Sequence, residues 1–296
     1  MDQYRTNKKV IFLFMLPAVA IYMVLAVIPI VQSLYFGFFS WPGIQGVELK
    51  FVGLQNFIDM FESKEFLLSL RNVLQYMLLT LVIQIPLAYG LAILLGKFYK
   101  GFKLYKVFYF FPVVLPLTAT SLLWSFIFFP NDTGVLNMVL NALGLENLTT
   151  AWLLNPHTAL NCITITNVWA GFGYHMMIGF AALTSIPEQI LESAELDGAK
   201  GFKKLRYIIL PIIWESVKIS VVLIVTGNLK QFDMVFVMTG GGPNGLTQLP
   251  ATLMYFEAFR YNHYGLGSAI SAFLFVVCIV LAVVSMKAME REKIEY

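Results

Sequence analysis

Residues 10–47 contain no charged side chain and no histidine. A bilayer core is crossed by about 20 apolar residues. Lipid offers backbone groups no hydrogen-bond partner, so a run of this kind folds as a helix. The pattern recurs. Asn72–Gly96 and Val107–Phe129 are also free of charge, and Thr158–Thr184, Ile212–Met238 and Leu266–Met286 are further apolar runs. The chain is 58% hydrophobic and 12% charged, against roughly 25% charged in soluble domains. The expected fold class is therefore an all-α membrane protein: one transmembrane domain over 1–296 with six spans at about 10–38, 72–96, 107–129, 158–184, 212–238 and 266–286. The first run is too long for a signal-peptide core and reads as a retained span, kinked at Pro17 and Pro29.

Basic residues orient the spans. Fourteen of the twenty lie in the N-terminus, the loop Lys97–Lys106, the loop Lys200–Arg206 and the tail Lys287–Lys293. A six-span chain puts all four segments on one side. Lys50, Lys64, Arg71 and Arg260 fall on the other. Both termini are thus expected in the cytoplasm, with the chain crossing the membrane several times. The outer loop 131–156 lacks Lys and Arg. Leu136, Met138, Val139, Leu140, Ala142 and Leu143 predict a short apolar helix there, lying at the interface.

Enzymatic chemistry finds no constellation. His157, His175 and His263 are widely separated and lack a His or Cys partner at ligand spacing, so neither catalytic nor metal-ligating residues are expected. His175 reads as a packing residue. Cys162 and Cys278 sit in apolar runs and read as small core residues. Gly90…Gly96-Lys97 superficially resembles a phosphate loop, with one residue too many between its glycines and no Ser or Thr after the lysine. No cofactor is expected on this chain. If ATP and Mg are used, a partner holds them.

Intramembrane polar residues are costly and therefore informative. Asn167 and Gly171 lie in the fourth run, and Asn228, Lys230, Gln231 and Asp233 in the fifth. In one continuous helix Asn228 and Gln231 share a face, and Lys230 and Asp233 form a second such pair. Two readings stay open. The amides line a water-filled cavity and meet the hydroxyls of a sugar, with Trp169 stacking on its ring. Alternatively, Asn167 and Asn228 hydrogen-bond between helices, and Lys230 pairs with Asp233. Thr118, Thr120 and Ser121 read as helix-packing residues; Glu215 and Lys218 are expected to snorkel.

Between the fourth and fifth runs stands a polar stretch, Ser185-Ile-Pro-Glu-Gln-Ile-Leu-Glu-Ser-Ala-Glu-Leu-Asp-Gly198. It predicts a short helix capped by Ser185, with Glu188 as capping-box partner and Pro187 in the first turn. Ile190, Leu191 and Ala194 share one face; Glu188, Glu192 and Glu195 share the other. Gly198 stops the helix by taking a left-handed turn.

Glu192-Ser193-Ala194-Glu195-Leu196-Asp197-Gly198, followed by Ile208-Ile209-Leu210-Pro211, resembles the E-A-A-x-x-x-G … I-x-L-P loop of ATP-binding cassette importer permeases. Ser193 replaces the first alanine of the motif. Asn167-Val-Trp-Ala-Gly171 and Met238-Thr-Gly-Gly-Gly-Pro243 are similar to the carbohydrate branch, the maltose-type and multiple-sugar permeases. The resemblance covers roughly 10–290.

The resemblance implies a type I importer permease fold, and a transport subunit that is not itself catalytic. Its partners would be two cytoplasmic ATPase subunits, a second permease subunit that is a different chain, an extracytoplasmic sugar-binding protein and membrane lipid, with no nucleic acid. Glu192, Ser193, Ala194, Glu195, Asp197 and Gly198 would couple to the ATPase. Asn167, Gly171, Asn228 and Gln231 would contact the sugar, although asparagine is commoner in the family at the place of Gln231. The loops 130–157 and 239–265 would receive the binding protein, with Pro130–Leu143 and Gly240–Asn244 foremost. A di- or oligosaccharide is the expected substrate. Alternatives are a glycerol-phosphate-type ligand, a stand-alone secondary transporter, for which the runs show no inverted repeat, and a membrane-embedded enzyme.

Overall fold

The structure, a computed structural model, describes residues 8–95 and 102–290. Arg5, Gly96, Lys97, Lys100, Arg291 and Lys293, which entered the phosphate-loop comparison or the charge count, lie outside these. The elements are α1 (Lys8–Tyr22), a π-helical turn, α2 (Ile28–Phe36), β1 (Phe39–Ser40), β2 (Lys50–Phe51), α3 (Gln55–Glu62), α4 (Lys64–Leu94), α5 (Phe102–Val114), α6 (Leu117–Ile127), α7 (Val135–Ala142) and α8 (Ala159–Thr184). They continue with α9 (Glu188–Leu196), α10 (Phe202–Lys204), a second π-helical turn, α11 (Leu210–Ile212), α12 (Trp214–Leu229), α13 (Asp233–Met238), α14 (Pro250–Tyr255), a third π-helical turn and α15 (Tyr264–Ala288). The all-α expectation holds, with one two-stranded antiparallel exception pairing Phe39 with Phe51 and Ser40 with Lys50.

The chain divides into two compact units. The first comprises the residues up to Ser63 together with Met254–Phe273. Asn56 ties it locally: its Nδ2 donates to the carbonyls of Gly37 and Phe39, each at 2.9 Å. Tyr264 packs edge-on against Phe36 and Trp41. No residue of 10–36 is buried.

The second unit comprises Lys64–Leu253 and the segment from Leu274 onward. Its axis is α4 lying along α8. Two apolar clusters fill it. One joins Tyr76, Ile163, Leu229, Met234 and Leu249 to Trp124 and Trp169. The other joins Ala88, Tyr89, Met176, Ile186, Ile213 and Val217 to Ile190, Leu191 and Trp214.

Among the described residues three helices are long and apolar enough to cross a membrane: Val10–Phe36, Lys64–Leu94 and Tyr264–Ala288. Counting each bent pair as one span raises this to five. The helix α8 occupies the expected fourth span, but Asn161, Thr164, Thr166, Asn167 and His175 dilute its apolar character.

Three run boundaries differ from expectation. The second helix starts at Lys64, not at Asn72, because Lys64, Glu65 and Arg71 fall in its first turns, where charged groups reach water. The third run bends by 97° between Val114 and Leu117. Pro116 has no N–H and pushes Leu115 out of helical geometry. The fifth run is not one helix either. It bends by 69° around Ile213, two residues after Pro211, and stops again at Leu229 before α13 begins. In the 131–156 loop, the expected short helix is α7; at about 1.5 Å per residue it is far too short to cross.

Candidate functional site

The acidic stretch forms α9. Ser185 does not cap it. Ser185 is itself helical (φ −82°, ψ −12°) and ends α8, its Oγ donating to the Ala182 carbonyl at 2.7 Å. Pro187, with φ −60° and ψ 136°, supplies the extended entry into α9 instead. An N-cap needs that non-helical backbone, and proline provides it without a side-chain bond.

The faces of α9 divide as expected. Ala194 is buried, and Ile190 and Leu191 are half-buried in the second apolar cluster. Glu188, Glu192, Ser193 and Glu195 are exposed. At the C-terminus the amide of Ala199 bonds the Ala194 carbonyl at 2.8 Å, and that of Gly198 bonds the Glu195 carbonyl at 3.0 Å. These are the two bonds of a Schellman motif. It requires a left-handed residue, and Gly198 has φ +80°. Asp197 is the C-cap, and Leu196 is left 89% exposed, so the helix presents an apolar tip beside its carboxylates.

Lys204 adds a contact that spacing did not reveal. Its Nζ reaches Glu195 Oε1 at 2.7 Å, joining α9 to α10 across Gly198 and Gly201. This hydrogen bond, then the charge of Lys204, holds the Glu195 carboxyl below its ordinary range. Gly201 takes φ +53° and ψ −125°, a region almost confined to glycine. Under α9 lies a cavity of about 390 Å³, floored by Ile93, Phe180, Leu183 and Leu191 and bordered by Glu192, Glu195 and Lys204.

The second cluster lies among α4, α8 and α12. Asn167 Nδ2 donates to Asn228 Oδ1 at 3.1 Å and stands 3.5 Å from Thr80 Oγ1. Asn228 is buried, and among the described residues its Nδ2 has no partner; neither has Nε2 of Gln231. Asn167 and Asn228 are thus brought together. Gln231 is not on their helical face, because α12 ends at Leu229 and Gln231 lies in the break before α13.

The same break overturns the ion pair. Among the described residues no salt bridge joins Lys230 to Asp233, and both are exposed on opposite sides of the interruption. Glu215 and Lys218 do pair, at 2.6 Å, rather than snorkelling separately. Gly171 faces Gln84: a Cβ there would stand 2.6 Å from Gln84 Nε2, so this glycine admits the side chain of α4. Trp169 packs edge-on against Trp124 at 5.6 Å within the first apolar cluster. Thr120 and Ser121 are buried as packing residues, whereas Thr118 is exposed.

Sequence reasoning passed over α4. Asn72, Tyr76, Thr80 and Gln84 are all buried and recur every four residues, a polar stripe on an otherwise apolar helix. That spacing was the available signal. Among the described residues the buried His175 has no partner for its Nδ1, and both cysteines are free. Among the described residues no three His, Cys, Asp or Glu side chains gather as a metal site.

A family model described as "Binding-protein-dependent transport system inner membrane component" matches residues 84–294. The chain is 31% identical over 291 residues to the "Probable ABC transporter permease protein YurN" of Bacillus subtilis (strain 168), covering 98% of this chain and 99% of that one. It is 31% identical over 274 residues to the "Diacetylchitobiose uptake system permease protein NgcF" of Streptomyces coelicolor, covering 89% and 77%. Its fold matches a chain in the crystal structure of a bacterial alginate ABC transporter in complex with an alginate pentasaccharide-bound periplasmic protein. There the TM-score is 0.83 at 20% identity, covering 99% of this chain and all of the other. The protein is a multi-pass membrane permease, and it belongs to the family of inner-membrane components of binding-protein-dependent transport systems, the permease subunits of ABC transporters.

Proposed function

We propose that this chain is the permease subunit of an importer that brings a di- or oligosaccharide into the cell, driven by ATP hydrolysis on partner chains. The observation that carries the reading is the Asn167–Asn228 pair, which leaves an amide N–H of Asn228 buried and unspent inside an apolar bundle. A sugar hydroxyl accepts such a donor, and a buried group left unsatisfied costs about 1–3 kcal/mol. Relatives named for diacetylchitobiose uptake and alginate transport support a carbohydrate.

The α9 helix supplies the coupling. Its exposed Glu192 and Glu195 and the apolar tip at Leu196 form a compact knob, fixed at one end by Gly198 and at the other by Pro187. On the cytoplasmic side this knob seats in an ATPase subunit, and closure of two ATPases moves two such knobs together. A second permease chain completes the pair, and the outer loops receive a sugar-binding protein. ATP and Mg are bound by the ATPases and not by this chain.

Uptake of labelled maltose, trehalose and diacetylchitobiose into inside-defined membrane vesicles from cells expressing the full system tests this. ATP-dependent uptake of at least one sugar, lost when this chain is deleted, is the expected result. Equal uptake by the purified chain in ATP-free vesicles would sink the reading.

A further inference from the structure

The turn after α13 is rich in glycine. Gly240, Gly241, Asn244 and Gly245 all have positive φ, and glycine loses more freedom on ordering than any other residue. Internal bonds draw it together: Thr247 Oγ1 donates to the Gly242 carbonyl at 2.6 Å and lies 2.7 Å from Thr239 Oγ1. Its tip, Gly240 and Asn244, is exposed. Its returning limb is held from outside. Asn72 of α4 donates both Nδ2 protons, one to the Leu246 carbonyl and one to that of Gln248, each at 3.0 Å.

Both acceptors sit in buried or part-buried surroundings, and Asn72 is itself 5% exposed. A neutral amide is the side chain that offers two donors from one atom without charge. Two turns farther along the same face of α4, about 12 Å away, Thr80 meets Asn167. One rigid helix face therefore bears on the outer turn at one end and on the amide pair at the other.

We infer that Asn72 is a positioning residue: it holds the Gly240–Gln248 turn as the docking surface for the soluble sugar-carrying protein. The inference rests on the proposed importer reading. Ordering four left-handed residues in advance lowers the entropic cost of docking, which a floppy glycine turn would meet on every encounter.

The test uses the intact transporter in liposomes with Asn72→Asp, which keeps the shape and loses both donors, and with Thr247→Val, which removes the hydroxyl contacts to Gly242 and Thr239 and so loosens the turn from within. Each is titrated with the soluble binding protein that stimulates the wild-type complex, and amide exchange is followed over 239–248. Both variants should exchange faster in the turn. Both should also need about tenfold more binding protein for half-maximal ATPase stimulation, with basal ATPase and the sugar dependence at saturating binding protein unchanged. A turn that loosens while half-saturation stays at the wild-type value overturns the inference. If Asn72→Asp does not assemble, Asn72→Ala, which removes both donors without adding a charge, decides by the same criterion. A wild-type complex that no soluble sugar-binding protein stimulates overturns the importer reading itself, and the inference with it.

Discussion

Asn167 and Asn228, 61 residues apart in sequence, meet through a 3.1 Å bond from Nδ2 to Oδ1. The bond joins α8 to α12 where both pass α4. It uses Asn228's acceptor and leaves its donor unspent. An arrangement built only to glue helices would close both ends. This one is half closed.

Replacing either asparagine by leucine should therefore have two separable effects. Asn167→Leu strands the Oδ1 of Asn228, and Asn228→Leu leaves the Nδ2 of Asn167 with only its 3.5 Å contact to Thr80, so each single variant should lose about 1–3 kcal/mol. The double variant removes both polar groups and should be less destabilised than the sum of the singles, a coupling of order 0.5–3 kcal/mol by double-mutant cycle. Thermal melts of the detergent-solubilised complex read this. Sugar uptake should fall in all three, the double included. A double variant that regains both stability and uptake would return the amides to packing.

Gly198 offers a cleaner separation, because nothing lies within 4 Å of the Cβ it lacks. Any penalty of substitution is then backbone strain alone, roughly 1–2 kcal/mol for an L-residue forced into the left-handed region. Gly198→Asn should retain coupling, since asparagine tolerates that region, while Gly198→Val should express but hydrolyse ATP without transporting. Transport and ATPase rates measured on the same liposomes would settle it; normal uptake by the valine variant counts against the turn's role.

These two sites show what was legible. The α9 helix and its glycine stop were readable because their causes are local: an acidic face, an apolar face and one residue that alone adopts φ +80°. The Ser185 cap misled because the motif was right while the backbone was already committed to ending α8. Gln231 was placed on the face of Asn228 by assuming one unbroken helix, and the stop at Leu229 carries no proline or glycine at its own position to announce it. Asn72 stood in a polar stripe that spacing could have shown, but its acceptors could not be read, since they lie 174 and 176 residues away.

The Lys204–Glu195 contact predicts a charge-swap rescue. Lys204→Glu and Glu195→Lys each place like charges 9 residues apart where 2.7 Å now separates opposite ones, and each should weaken ATP-coupled uptake. The double swap should restore much of it. The pH sense follows from the lowered Glu195 pKa: the contact is complete at neutral pH and fades as pH falls through the lowered folded value. Being exposed, it should also weaken as salt rises from 0.05 to about 0.5 M. Salt-independent uptake in the wild type, with no rescue by the swap, would remove the pair from the coupling path.

Two helical glycines make opposite predictions on one measurement. At Gly90 in α4 nothing lies within 4 Å of an added Cβ. Alanine there reduces the freedom of the unfolded chain without touching a neighbour, so Gly90→Ala should be neutral or stabilising by up to about 1 kcal/mol. At Gly173 in α8 the same methyl would run into the backbone carbonyl of Tyr109, on the segment where α5 packs against α8. Backbone cannot rotate aside as a flexible side chain can. Gly173→Ala must push the two helices apart, at a cost of about 1–3 kcal/mol for overpacking. Melting of the purified complex distinguishes them: Gly90→Ala should melt at or above the wild type and Gly173→Ala several degrees below it. If both variants shift together, the close approach of α5 to α8 at Gly173 is not what sets the packing of this bundle.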